Sequence, residues 1–243
     1  IFDSYAWAIE HFELSVFRQS QLILPTNAFY PGSVKSVHAM AQSVFEQTLK
    51  YAGMENWPIR LVEPQQMSNT TSLPSLNISK VLRGDLAQIS VAEDAMKSIE
   101  ISYNPSQVNQ PQDLVSSFTQ ILATILVMKS GALPPGGKDF IPQAIDLVAC
   151  FMGFGVIFAN TAYQFRGGCG SCNNRSANRQ ASLAEEETVY ALAMFCVLKS
   201  TPKNLVLPHL KSHLKKTFKC SYKELMKYTE LSESPMLLAA KIK

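Results

Sequence analysis

Paired cysteine, dense charge and a membrane-length apolar run are all scarce or missing from this sequence. Its five cysteines (Cys150, Cys169, Cys172, Cys196 and Cys220) are odd in number and sparse over 243 residues, which excludes a disulfide-framed secreted scaffold. A reducing compartment fits that usage, and a cytoplasmic location is expected. Charged residues make up only 17%, but hydrophobic residues reach 47%, so the chain has the apolar surface to build a core and is not a disordered segment. The longest strictly apolar run, residues 147–159, has 13 residues. That falls short of the roughly 20 that span a bilayer, and Asp146 and Asn160 flank it; it reads as a buried core helix. No charged n-region followed by an apolar h-region is visible. G-x-S-x-G, P-loop and dinucleotide-binding fingerprints are absent, and Gly136-Gly137-Lys138 lacks the P-loop spacing.

The net charge of +3 is unevenly spread. Residues 199–228 hold eight lysines against one acid, Glu224, a local excess of +7 that leaves −4 for the remainder. A basic face built from Lys211, Lys215, Lys216 and Lys219 could meet an acidic partner surface, with a plainly solvated face as the alternative. Nucleic acid is not expected, because no aromatic interleaving accompanies the lysines.

The periodicities predict one α+β domain over 1–243, mixed over 1–105 and helical over 111–243. Helical spacing of Tyr5, Ala8, Ile9, Phe12 and Val16 predicts a helix over 3–17. A short strand over 21–24 ends at Pro25. Pro31-Gly32-Ser33 turns into and caps a helix over 34–51, stopped by Gly53. Strands are expected over 59–62, 78–82, 87–91 and 98–103, where Ile99, Ile101 and Tyr103 alternate. From Pro111 onward the expected helices cover 113–128, 142–165 and a segment to Leu198, the last opened by a capping box of Ser182 with Glu185. Pro208 starts another helix, and Ser221 caps the next. The order of elements argues α+β rather than alternating βαβ.

On the helix over 113–128, Ser116, Gln120 and Thr124 stand four apart on one stripe, the spacing at which a helix presents two ligands to one metal. Residues 120–126 read Q-I-L-A-T-I-L and residues 131–137 read G-A-L-P-P-G-G. Residues 144–163 read A-I-D-L-V-A-C-F-M-G-F-G-V-I-F-A-N-T-A-Y. This run resembles a group of uncharacterised bacterial proteins of zincin-like, metallopeptidase-related character. In that group H-E-L-A-H-x-L-L precedes a Gly/Pro-rich break and a helix of the form T-D-L-L-A-V-F-L-G-F-G-x-F-x-A-N-S-A-F. A weaker likeness extends to LILPTNAFYPG and NWPIRLVEP near the N-terminus. The resemblance puts Gln120 and Thr124 on the two histidine positions, Ile121 on the general-base glutamate and Asp146 on an acidic position of the second helix. An amide and a hydroxyl are poor zinc ligands beside imidazole, and isoleucine cannot take a proton from water. The HExxH motif is therefore degenerate, with no cofactor expected and Asp146 expected to hydrogen-bond one of the polar residues opposite.

Two further constellations carry chemistry. Cys169 and Cys172 form a single C-x-x-C inside a Gly- and Asn-rich loop, either a redox pair or incidental thiols. His209 and His213 are spaced to share a metal, but Lys211, Lys215 and Lys216 oppose a cation there. The reading that follows is a non-catalytic, zincin-like binding, accessory or structural subunit with a protein partner. The alternatives are a thiol/redox or metal-dependent enzyme using Cys169 and Cys172, and a membrane-associated subunit.

Overall fold

The computed structural model describes residues 1–32, 36–66, 75–78, 80–91, 98–162 and 179–231, with side chains to Tyr228. The fold is α+β and mostly helical. The first predicted helix is two: α1 (Phe2–His11) and α2 (Leu14–Gln19), broken at Glu13, whose φ of 51° lies in the left-handed region. Residues 21–24 pair with no strand. They run extended against a helix, and Ile23 N–H donates to Gly153 O at 2.9 Å. Helix α3 (Val37–Ala52) is capped by Ser36, whose Oγ accepts from Ala39 N–H, and not by Ser33, which lies outside the described residues. Gly53, with φ 69°, ends it in a left-handed cap.

Among the described residues, the β structure is two small pairs rather than one sheet. β1 (Ile59–Leu61) runs parallel to β4 (Ile99–Ile101), in register Ile59 to Ile99, with an ion pair between Arg60 and Glu100 across it. β2 (Leu76–Ile78) pairs antiparallel with β3 (Ile89–Val91). Strand β2 begins two residues before the expected position. The backbone N–H of Leu82 instead donates to Glu13 Oε1 at 2.7 Å.

The helical half is layered around two largely buried helical stretches. Helix α4 (Pro111–Ser130) starts on a proline and stops at left-handed Gly131. Along its stripe of Ser116, Gln120 and Thr124, the first is fully buried and the other two are half-buried. Ser116 and Thr119 are fully buried, and their hydroxyls bond back to the carbonyls of Asp113 and Val115. The next helix is bent. α5 (Ile141–Ala149) passes through a π turn at Cys150–Phe154 into α6 (Gly155–Thr161), and the bend falls at Gly153, φ 103°. A Cβ on Gly153 would stand 2.3 Å from Gln21 O, so glycine is needed both for the backbone and for the crossing chain.

Helix α7 (Glu185–Leu198) is buried almost throughout and contacts both α6 and α9 (Leu214–Leu231). Only half of the expected capping box forms, shifted by two residues: Ala184 is the N-cap and has no side-chain acceptor, but Glu187 Oε2 accepts its N–H at 2.9 Å. Between them lies α8 (Lys203–Val206). Pro208 sits in a 3-10 turn rather than opening a helix, and Ser221 lies buried inside α9 rather than capping a new one. Leu210, Leu214, Phe218 and Leu225 anchor this part of the chain to the core. One helical stretch, Lys138–Thr161, is long and apolar enough to cross a membrane, and 72% of its most apolar window is buried inside the fold. That burial matches the core helix read from residues 147–159.

Candidate functional site

Asp146 lies on the buried side of α5, its side chain fully excluded from water. A lone carboxylate in such surroundings would be strongly disfavoured, so it must be neutralised or hydrogen-bonded. It is both. Arg179, also fully buried, donates Nη1 to Oδ1 and to Oδ2 at 3.2 Å each. Gln120 Nε2 donates to Oδ1 at 3.0 Å. The backbone N–H groups of Ser182 and Leu183 donate to Oδ2 at 2.7 and 3.0 Å. A carboxylate offers about four lone-pair sites, so none remains for another ligand.

Arg179 is held as firmly as the acid it neutralises. Its Nε donates to Thr161 Oγ1 at 3.1 Å, and Nη2 donates to Phe158 O at 3.2 Å. The guanidinium also lies over the Phe158 ring, 4.0 Å from its centroid. Planar, delocalised and weakly hydrated, arginine suits such a site better than lysine. The ion pair thereby joins α5, the end of α6 and the segment that leads into α7.

The polar cluster continues along α4. Gln120 is half-buried and spends its second N–H on Gln180 O at 2.8 Å. One turn earlier than Ser116, Asp113 is 5% exposed, and its Oδ1 has no partner among the described residues. Burial raises its carboxyl above the ordinary range, against the opposing pull of Lys211 and Arg179. Asn160, in the A-N pair of α6, donates to Gln112 Oε1 and His209 O and accepts from Lys211 N–H at 3.0 Å. It fastens α4 and α6 to the turn before α9.

The four positions singled out for a degenerate metal site behave differently. Gln120 and Asp146 meet, as expected of one polar residue on α4. Thr124 donates its hydroxyl to its own helix, to Gln120 O at 2.7 Å. Ile121 is half-buried among apolar neighbours of the core. The donor set does not fit zinc: no imidazole is present, and the one carboxylate is saturated by a guanidinium. Among the described residues, no three His, Cys, Asp or Glu side chains gather closely enough to hold a metal ion.

No family model matches the chain, nor does any curated protein or solved structure.

The other candidates are dispersed. His213 is exposed and pairs with Glu185 at 3.2 Å, whereas His209 contributes its carbonyl to Asn160. They do not share one helical face, since His209 lies in the 3-10 turn and His213 in the turn before α9. Cys169 and Cys172 lie outside the described residues. Cys150 and Cys196 are free, buried thiols pushed up by burial, which suits core packing rather than nucleophilic chemistry. Cys220 is free and exposed.

Proposed function

We propose that this chain is a non-catalytic, zincin-like protein that acts by binding, as an accessory or structural subunit, and that its former metal pocket has become a structural joint. The observation that carries this reading is the saturation of Asp146. Its charge is balanced by Arg179 and its lone pairs are filled by Gln120, Ser182 and Leu183. With Ile121 where a base would stand and Gln120 and Thr124 where imidazoles would stand, the pocket offers no route to activated water. Its partner is a protein with an acidic surface, met by the basic face of α9.

Reconstitution tests the joint. Installing the missing groups as Gln120→His, Ile121→Glu and Thr124→His should still leave zinc below stoichiometry after dialysis, because Arg179 holds Asp146. Adding Arg179→Met should raise bound zinc toward one per chain. Stoichiometric zinc in the purified native protein that is lost on Asp146→Asn would overturn the reading.

A further inference from the structure

Helix α9 lays Leu214, Phe218 and Leu225 on the core and turns its opposite side to solvent. The middle of that outer side is a row of lysines: Lys216, Lys219, Lys223 and Lys227, all exposed. At about 1.5 Å of rise per residue the row is straight and about 16 Å long. Among the described residues no carboxylate forms an ion pair with any of the four. Glu224 stands on the flank of the row, where it accepts from the Tyr190 hydroxyl at 3.0 Å. Glu230 follows one turn after Lys227.

This arrangement opposes the helix that carries it. Lys216 and Lys219, Lys219 and Lys223, and Lys223 and Lys227 are like charges three or four residues apart, which repel across a helix surface. Lys215 and Lys216 also stand in the first turn, where the macrodipole favours acids, and no acid is present there. Anchoring α9 does not require the row, because its apolar side does that. The row is also selective in what it fits. Between Lys216 and Lys227 the outer side exposes Cys220 but no large apolar side chain, and interfacial helices enter lipid on Trp, Phe or Leu. It offers no arginine fork and no exposed ring on which a base could stack.

We propose that the partner meets α9 with an acidic α-helix laid along it, carrying Asp or Glu at positions i, i+4, i+7 and i+11 opposite the four lysines. This rests on the reading that the basic face meets an acidic protein, and names the element that docks. Two helices side by side repeat their charges at the same axial rise, so the pairs stay in step along the row. An extended strand repeats one face about every 6.7 Å and falls out of step with lysines about 4.5 to 6 Å apart. Opposed rows of charge steer the encounter and fix its register. No helix among the described residues carries three acids spaced one turn apart, so a second copy of this chain does not supply the docking helix.

Fluorescence anisotropy of two labelled peptides titrated with the whole chain tests the proposal. Both are stapled, alanine-rich helices of one composition; the first carries Glu at i, i+4, i+7 and i+11, and the second spreads the same Glu residues around the helix. At about 50 mM salt the first should bind with Kd below about 100 μM and the second at least about tenfold more weakly. Lys219→Glu with Lys223→Glu should abolish binding of the first peptide. Changing the two facing Glu of that peptide to Lys should restore binding to this variant and not to the native chain. Lys80→Glu, exposed outside α9, should alter affinity less than about twofold. Equal binding of the two peptides overturns the helical partner and leaves the acidic-protein reading standing. Binding of neither peptide at about 1 mM chain overturns both. So does tighter binding to phosphatidylcholine vesicles with about 30% phosphatidylserine, or to a mixed-sequence DNA duplex, than to the first peptide.

Discussion

At the scale of single residues, Asp146 and Arg179 behave as one unit. Asp146→Asn would keep the volume but discard the charge opposite Arg179, and should cost about 3–5 kcal/mol in urea denaturation. Arg179→Met should cost a similar amount. The pair replaced together, Asp146→Leu with Arg179→Met, should cost clearly less than the sum, because no charge is stranded. Additive effects would mean that the two side chains are not coupled. Lys199 gives a second test. Its Nζ donates to Phe17 O at 2.9 Å, and burial lowers its value to about 8 from the ordinary 10.5. Between those values the unfolded chain holds a proton that the folded chain has released, so stability rises as pH climbs from 8 to 10.5. The stability of the native protein relative to Lys199→Met should therefore increase across that window, and a flat difference would contradict the assignment. Asp146 itself could be anticipated as a paired acid, since it interrupts an apolar helix. Its partner could not, because Arg166, Arg175 and Arg179 follow within one polar stretch and nothing local distinguishes the one that folds back.

At the scale of elements, the bend at Gly153 organises the core. Gly153→Ala would force a side chain onto a left-handed backbone and into Gln21 O. The expected loss is at least about 3 kcal/mol, read as a lower midpoint in urea, whereas Ala149→Gly in the same helix should cost about 1 kcal/mol. Helix positions were largely legible in the sequence, because apolar residues recur at the helical period and Gly53 and Gly131 stop the chain where left-handed caps require. The interruptions were not. Glu13 carries no glycine signal for its positive φ. The G-F-G of residues 153–155 reads equally well as part of a straight helix. Residues 21–24 are apolar enough for a strand, yet they bond to a helix carbonyl, a tertiary choice that no local pattern encodes.

At the scale of the whole molecule, one apolar core extends from Tyr5 to Leu225, and the basic segment is its outer layer. Leu214, Phe218 and Leu225 face inward on α9, while Lys216, Lys219, Lys223 and Lys227 are exposed on the other side. Charge reversal of Lys216, Lys219 and Lys223 to Glu should leave the urea midpoint nearly unchanged, within about 0.5 kcal/mol per site. It should abolish salt-sensitive capture of the proposed acidic partner. Partner capture insensitive to both salt and charge reversal would remove this face from the binding surface. The charge asymmetry was plain in composition. That the lysines share a continuous helix was not, since Pro208 and Ser221 suggested two shorter ones, and α9 instead runs unbroken because Ser221 is buried against the core.

Two of the seams that join the first helices to the core have a consequence for assembly. Tyr5 donates its hydroxyl to Ala191 O at 2.7 Å, and Lys199 reaches Phe17 O, spanning 186 and 182 residues of sequence. Closing such long loops is entropically slow. During synthesis these two seams cannot close until residues 191–199 have emerged, although Phe17 can already stack on Phe151. Completion of this core is thus delayed until α7 has emerged, which leaves apolar helix faces uncovered for longer than local contacts alone would.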